Sequence, residues 1–409
     1  MHGLEIKPDI YYIGVNDRTT DLFEGLWPIA KEGVSYNSYL VIDKKKAIID
    51  LTKSLKVDEY FDKISRLTDL SDIDYVIINH IEPDHSSLLR TMRRINPGVT
   101  LVGSAKAADM LAKFYGITDN VKVVGDGDKI NLGRHTLQFI STPFLHWPET
   151  IMTYEMTNRI LFTCDAFGSY GAIRGAVFDD ECQFRNFYMQ EALRYYVNIV
   201  ANFSSRVLSA IDKVKNLPVD IIAPSHGLIW RKNIPLIVNA YKKWAGYADG
   251  ESEPGVTLIY GSMYGNTEMV MNAVAEGITS AGASIEIFDV ARTHVSYILP
   301  SLWTRKGIMI GAPTYEVSLF PPMAEVLRMA VHKRIRNKKA AYFGSYGWSG
   351  GALKNMRKIL EPLNWDIGDT FEFIGSPEED DIVRARELGR KFAERIVSLG
   401  SEKPACSDN

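Results

Sequence analysis

"NHIEPDHSS", residues 79–87, places His80, Glu82, Asp84 and His85 within six positions. The run "DYVIINH" before it reads as a strand, and "SSLLRTMRRI" after it begins a helix with Ser86 as the expected N-cap. The four side chains therefore lie on a strand-to-helix loop, where turns of a rigid scaffold can aim them at one point. An isolated H-x-E is ordinarily a charged surface loop. Four metal-ligand types in six residues are not ordinary.

The same pattern, an apolar strand running into a potential ligand, recurs three times. "LQFISTPFLHWPE" carries His146, "RILFTCDAFG" carries Asp165 and "VDIIAPSHGL" carries His226. The chain has 8 histidines, and half of them fall at these places. Seven side chains exceed the needs of one tetrahedral zinc and suit two metals sharing a carboxylate. Imidazole and carboxylate without thiolate favour iron or manganese. Cys164, beside Asp165, is expected to be a small core residue facing away.

The bulk of the chain is that of a globular protein: 409 residues, 46% hydrophobic, 24% charged, net charge −3. That length predicts two domains, and that charge gives no reason to expect nucleic-acid or membrane binding. No apolar run approaches the roughly 18 residues of a membrane span. The N-terminus lacks the apolar core of a signal peptide. Three cysteines (Cys164, Cys182, Cys406), none in a C-x-x-C pair, predict a cytoplasmic protein without disulfides or a fused rubredoxin.

The division falls at "GYADGESEPG", residues 246–255, where glycine, proline and acids interrupt the apolar periodicity. Domains are expected at 1–248 and 255–400. In the first, strands come in adjacent groups, with helices near 57–66, 86–94 and 105–115 and a longer helical region from about 186 to 215, which suits a sandwich of sheets with helices outside. In the second, strand and helix alternate, which predicts a doubly wound parallel sheet. Its strands include "KGIMIGAPTY" and "KAAYFGSYGW", a charged helix at about 378–398 closes it, and the tail "SEKPACSDN" is expected to be disordered.

"YGSMYGNTEMV", residues 260–270, joins the first strand of that sheet to its helix. Small residues and a helix N-terminus let backbone amides converge on an anion. The loop lacks the lysine of a triphosphate site and the glycines of a dinucleotide site. A monophosphate such as that of FMN fits better. Two later loops, with Pro313, Thr314 and Tyr315 and with Ser345, Tyr346, Gly347 and Trp348, could enclose a flavin ring at strand C-terminal ends.

The H-x-E-x-D-H loop with three later ligands resembles the metallo-β-lactamase fold in its flavodiiron variant. Zinc hydrolases of that fold carry histidine where this chain has Glu82. The loop Ser262, Met263, Tyr264, Gly265, Asn266, Thr267 resembles the phosphate loop of flavodoxin. The two resemblances cover nearly the whole chain, in flavodiiron order. They imply an N-terminal metallo-β-lactamase-like αβ/βα sandwich and a C-terminal flavodoxin-like domain, with two irons and FMN per chain. The resemblance puts His80, Glu82 and His146 on one iron, puts Asp84, His85 and His226 on the other, and makes Asp165 the bridge.

The activity implied is reduction of dioxygen to water or of nitric oxide to nitrous oxide. The chain looks most like the coenzyme F420-dependent oxidases, which makes reduced coenzyme F420 the expected donor. The resemblance also implies a head-to-tail homodimer or a dimer of dimers. The alternatives are a nitric oxide reductase fed by rubredoxin or another carrier, and a binuclear metallohydrolase with an accessory domain. Leu26 and Trp27 stand where some members of the family carry a histidine and are expected to tune the site.

Overall fold

The structure is a computed structural model and describes residues 3–249 and 252–401. Cys406 and the tail expected to be disordered lie outside the described residues, apart from Ser401. The chain divides into two compact units, Met1–Ala245 and Gly246–Asn409. No described helix is long and apolar enough to cross a membrane.

The first unit is built on two sheets. One has seven strands in chain order, from Leu4–Lys7, Ile10–Tyr12, Tyr39–Val41 and Ala47–Ile49 to Tyr75–Ile77, Thr100–Gly103 and Val121–Val123. The first four pair antiparallel and the remainder parallel. The other has five strands: Lys129–Asn131, Thr136–Ser141, Ile151–Glu155, Ile160–Cys164 and Ile221–Pro224. The inner strands "YLV", "AII", "IMTYE" and "ILFTC" are buried at every residue, so their apolar runs do not alternate. The sheets meet where Tyr39 packs on Phe162 at 4.9 Å and donates its hydroxyl to the Pro224 carbonyl at 2.7 Å.

Helices occupy Val57–Ser65, Ala105–Tyr115, Arg185–Tyr195 and Ser204–Val214. The last two form the long helical region expected there. A π turn at Tyr196–Val200 and a 3₁₀ turn at Ala201–Phe203 join them. The helix expected over 86–94 is divided, into a turn at Pro83–Ser86 and a helix at Leu89–Ile95. Ser86 is not its N-cap. The hydroxyl donates back to the carbonyls of Ile81 at 2.6 Å and Glu82 at 2.8 Å, closing the loop of candidate ligands on itself.

The second unit is a five-stranded parallel sheet. In spatial order its strands are Ile285–Asp289, Glu253–Tyr260, Arg305–Gly311, Lys339–Tyr346 and Asp366–Ile374. The order, second–first–third–fourth–fifth, is that of flavodoxin-like sheets. The first strand begins at Glu253, inside the stretch read as linker, and the closing helix runs Glu379–Ser401. That helix packs on Asn266–Ser280 through a glycine contact: a Cβ on Gly277 would meet the Arg386 carbonyl, and one on Gly389 the Val274 carbonyl. Backbones can approach this closely only without side chains at the crossing.

Candidate metal and flavin sites

The metal-ligand candidates sit where strands of the first unit end. His80 follows Tyr75–Ile77, His146 follows Thr136–Ser141, Asp165 follows Ile160–Cys164 and His226 follows Ile221–Pro224. His80, His85, His146, Asp165 and His226 are buried, while the Glu82 and Asp84 side chains are 12% and 11% exposed. The structure brings all seven together, in two groups that meet at Asp165. On one side, Glu82 Oε2 lies 3.1 Å from Nε2 of both His80 and His146, and Asp165 Oδ2 lies 3.3 Å from His146 Nε2. On the other, Asp165 Oδ1 lies 3.0 Å from His85 Nε2 and 3.3 Å from His226 Nε2, with Asp84 Oδ2 also 3.3 Å from the latter.

Burial opposes charge on His146, His226, Glu82 and Asp165, and opposite charges overrule it. Asp165 and Glu82 carry His146 up to about 9, and Asp165 and Asp84 carry His226 up to about 10. The imidazoles in turn hold Glu82 and Asp165 below the usual carboxylate range. Both oxygens of Asp84, Oδ2 of Asp165 and Nε2 of His226 are buried without a hydrogen-bond partner among the described residues. Orphaned donors and acceptors facing one point are costly in a protein interior, and metal coordination removes that cost. The oxygen and nitrogen donor set fits a pair of irons.

Cys164 does not face away. Its Sγ lies within 4.8 Å of a His85 ring nitrogen and an Asp165 oxygen, because the backbone takes a left-handed turn there, with φ of 51°. Burial pushes its thiol well up, so it sits under the site as a neutral group. Leu26 is 44% exposed on a hairpin turn, and Trp27 is buried, donating its indole N–H to Glu24 Oε2 at 3.1 Å. The same hairpin sends Phe23 edge-on to His226 at 5.6 Å and brings Glu24 beside Glu82; burial and that neighbour lift the Glu24 carboxyl to about 7.

Sequence reasoning missed the groups behind the ligands. Asp50 accepts the amide of Asn79 at 2.8 Å and its side chain at 3.0 Å, fixing the residue before His80. Glu149, in the quoted "HWPE" stretch after His146, lies behind His80. Tyr195 and Tyr36 pack on the His226 ring at 5.5 and 5.7 Å. A lone acid or tyrosine in an apolar stretch carries no local signal of such a role.

In the second unit, a cavity of about 440 Å³ opens at the C-terminal ends of the sheet strands. Every residue expected to bind the cofactor lines it except Gly265, and Glu316, Val317, Ser349 and Gly375 join them. Gly265 contributes backbone instead: with φ of 95° it begins the helix Asn266–Ser280, whose first amides have no side-chain cap. Those free N–H groups form an anion cradle. Thr267 Oγ1 pairs with Ser345 Oγ at 3.0 Å, tying the start of the helix Asn266–Ser280 to the loop after Lys339–Tyr346. Trp348 and Tyr264 are 93% and 90% exposed, large rings left bare around a slot that suits a flavin.

A binuclear imidazole and carboxylate site on a metallo-β-lactamase-like sandwich, followed by a flavodoxin-like sheet with a flavin-sized slot, defines a two-domain metalloflavoprotein. Residues 34–227 match the ODP family of beta lactamases and residues 258–389 match flavodoxin. The chain is 35% identical to the anaerobic nitric oxide reductase flavorubredoxin of Escherichia coli, over 96% of this chain and 82% of that one. It is similar in structure to a flavodiiron protein from Giardia intestinalis, with TM-score 0.91 and 27% identity over 98% of each chain. It is also similar to the rubredoxin oxygen:oxidoreductase of Desulfovibrio gigas, with TM-score 0.91 and 25% identity over 97% of this chain and 99% of that one.

The chain belongs to the flavodiiron protein family. It is an oxidoreductase whose cofactors are FMN and a diiron centre, which removes the hydrolase alternative.

Proposed function

We propose that this chain is a cytoplasmic oxygen reductase, taking dioxygen to water with electrons that pass from reduced coenzyme F420 through FMN. The observation that carries the metal half is Asp165, whose two oxygens face two separate imidazole and carboxylate groups. In this reading His80, Glu82 and His146 hold one iron, Asp84, His85 and His226 hold the other, and Asp165 bridges them. The metal domain spans 1–248 and the flavin domain 255–400. Once bound, two ferrous ions and one FMN hydroquinone supply the four electrons that reduction of dioxygen to two waters consumes.

The chain's own part is to hold these groups and keep the chamber apolar. Phe23, Tyr36 and Tyr195 surround His226 with rings, which limits bulk water on that side. Asn266, Thr267 and the amides beside them hold the flavin phosphate, and Tyr315 and Trp348 cover its ring. The working assembly is a head-to-tail homodimer, alone or as a dimer of dimers, in which the flavin of one chain serves the irons of its partner.

A second reading, reduction of nitric oxide with rubredoxin or another carrier as donor, draws support from the 35% identity to the Escherichia coli nitric oxide reductase. Anaerobic stopped-flow separates the two. Reduced coenzyme F420, NADH and reduced rubredoxin are each mixed with the protein while flavin absorbance is followed, and either gas is then added. Fast flavin reduction by coenzyme F420 and turnover with dioxygen are expected. Reduction only by rubredoxin, with turnover only on nitric oxide, replaces this reading with the second.

A further inference from the structure

The imidazoles facing the metal site differ in what holds their far side. His226 Nδ1 lies 2.7 Å from the Ser35 carbonyl, and His85 Nδ1 has no partner among the described residues. His80 Nδ1 lies 2.6 Å from a carboxylate oxygen, Glu149 Oε1. Glu149 is 1% exposed, and the same Oε1 accepts the Ile81 amide at 3.0 Å. Its Oε2 has no partner among the described residues, so the carboxylate makes its contacts through one atom at the start of the ligand loop.

The placement of Glu149 is itself fixed. Ser104 Oγ donates to the Glu149 carbonyl at 2.7 Å while accepting the Ala107 amide at 3.1 Å, at the start of the helix Ala105–Tyr115. A buried carboxylate is a costly way to fill space, since its desolvation must be offset by partners. Its contacts here are to His80 and to the amide that precedes Glu82. Neither contact would be made by an apolar side chain of similar size.

We propose that Glu149 is a positioning residue for the metal centre: by accepting the Nδ1–H of His80 it fixes the tautomer whose Nε2 faces the metal, and by accepting the Ile81 amide it sets the loop that carries Glu82. The inference rests on the reading of His80 and Glu82 as ligands. A carboxylate behind a ligating imidazole also raises its basicity, which favours the oxidised metal and lowers the reduction potential. The same residue thereby makes the His80 side of the site the more strongly donating one.

Glu149→Gln keeps the shape and one acceptor oxygen but removes the charge. In the full-length holoprotein it is expected to retain FMN and the wild-type circular dichroism spectrum. Iron affinity, read by competition with a chelator, is expected to fall about 10- to 100-fold. The midpoint potential of the iron pair, read by redox titration, is expected to rise. Unchanged affinity and potential in folded Glu149→Gln protein overturn the proposal.

A second measurement needs no variant at Glu149. Wild-type protein loaded with zinc and labelled with ¹⁵N-histidine is expected to show an Nδ1–H proton for His80, assigned by its loss in His80→Gln. A proton on Nε2 of His80 overturns the proposal even if Glu149→Gln does not fold. Wild-type protein that binds no iron at all would instead overturn the ligand reading beneath it.

Discussion

Oδ1 of Asp165 lies 3.0 Å from Nε2 of His85, while the other oxygen of the same carboxylate points toward His146 at 3.3 Å. One side chain thus belongs to both halves of the site. Asp165→Asn keeps the shape and removes the shared charge, and is expected to lower iron from two per chain to one or fewer. Gas reduction is expected to fall at least 100-fold while the donor still reduces FMN at the wild-type rate. Iron analysis and flavin stopped-flow read the two quantities, and full iron retention would exclude a bridging role.

Protein stripped of metal is expected to lose stability as pH rises. His146 and His226 titrate at about 9 and about 10 in the folded chain, against roughly 6.5 when unfolded. The folded state therefore binds more protons between these values, and stability falls through that window. Their contribution is complete below about 6.5 and is lost as pH passes about 9 to 10. Metal loading displaces those protons and should abolish the slope while releasing acid. Melting temperature against pH, with and without metal, checks this; a stripped protein more stable at pH 9 than at pH 6.5 would contradict it.

The glycine crossing makes a sharp stability test. Gly277→Val puts a branched side chain against the Arg386 carbonyl, and forcing extra volume into a packed contact costs about 1–3 kcal/mol. Thermal unfolding followed by flavin fluorescence is expected to show early FMN release. Iron content should be untouched, because the substitution lies in the second unit. A melting curve like that of the wild type would mean that the two helices can part at no cost.

Mixed assemblies test electron transfer between chains. A metal-dead chain, Asp165→Ala, and a flavin-dead chain altered at Asn266 and Thr267 are each expected to be inactive. Co-expressed and isolated as heterodimers, they are expected to recover up to about half the wild-type activity per dimer, since one of the two flavin and iron pairings survives in a two-fold assembly. Heterodimers with no recovery would confine electron transfer to a single chain.

The sequence alone determined the fold class, the family and the order of its parts. The cluster of His80, Glu82, Asp84 and His85 was legible because metal-ligating residue types crowded on one loop leave a dense local signal, and the fold brings them together. His146, Asp165 and His226, which the fold brings to the same place, were legible because each follows an apolar strand. The loop 262–267 was legible as an anion cradle because such a cradle needs small residues before a helix, and those are consecutive in the chain. Tertiary structure alone decided the rest. Ser86 reads as a cap, yet its hydroxyl turns back to Ile81 and Glu82. Cys164 reads as pointing away, yet a left-handed turn sets it under the site. Glu149, 69 residues from His80, and Asp50, 29 residues from Asn79, act through contacts that no local pattern announces. The physical reason is common to all four: a candidate ligand is recognised by its own chemistry, whereas a residue beside or behind one is defined by what the fold brings next to it.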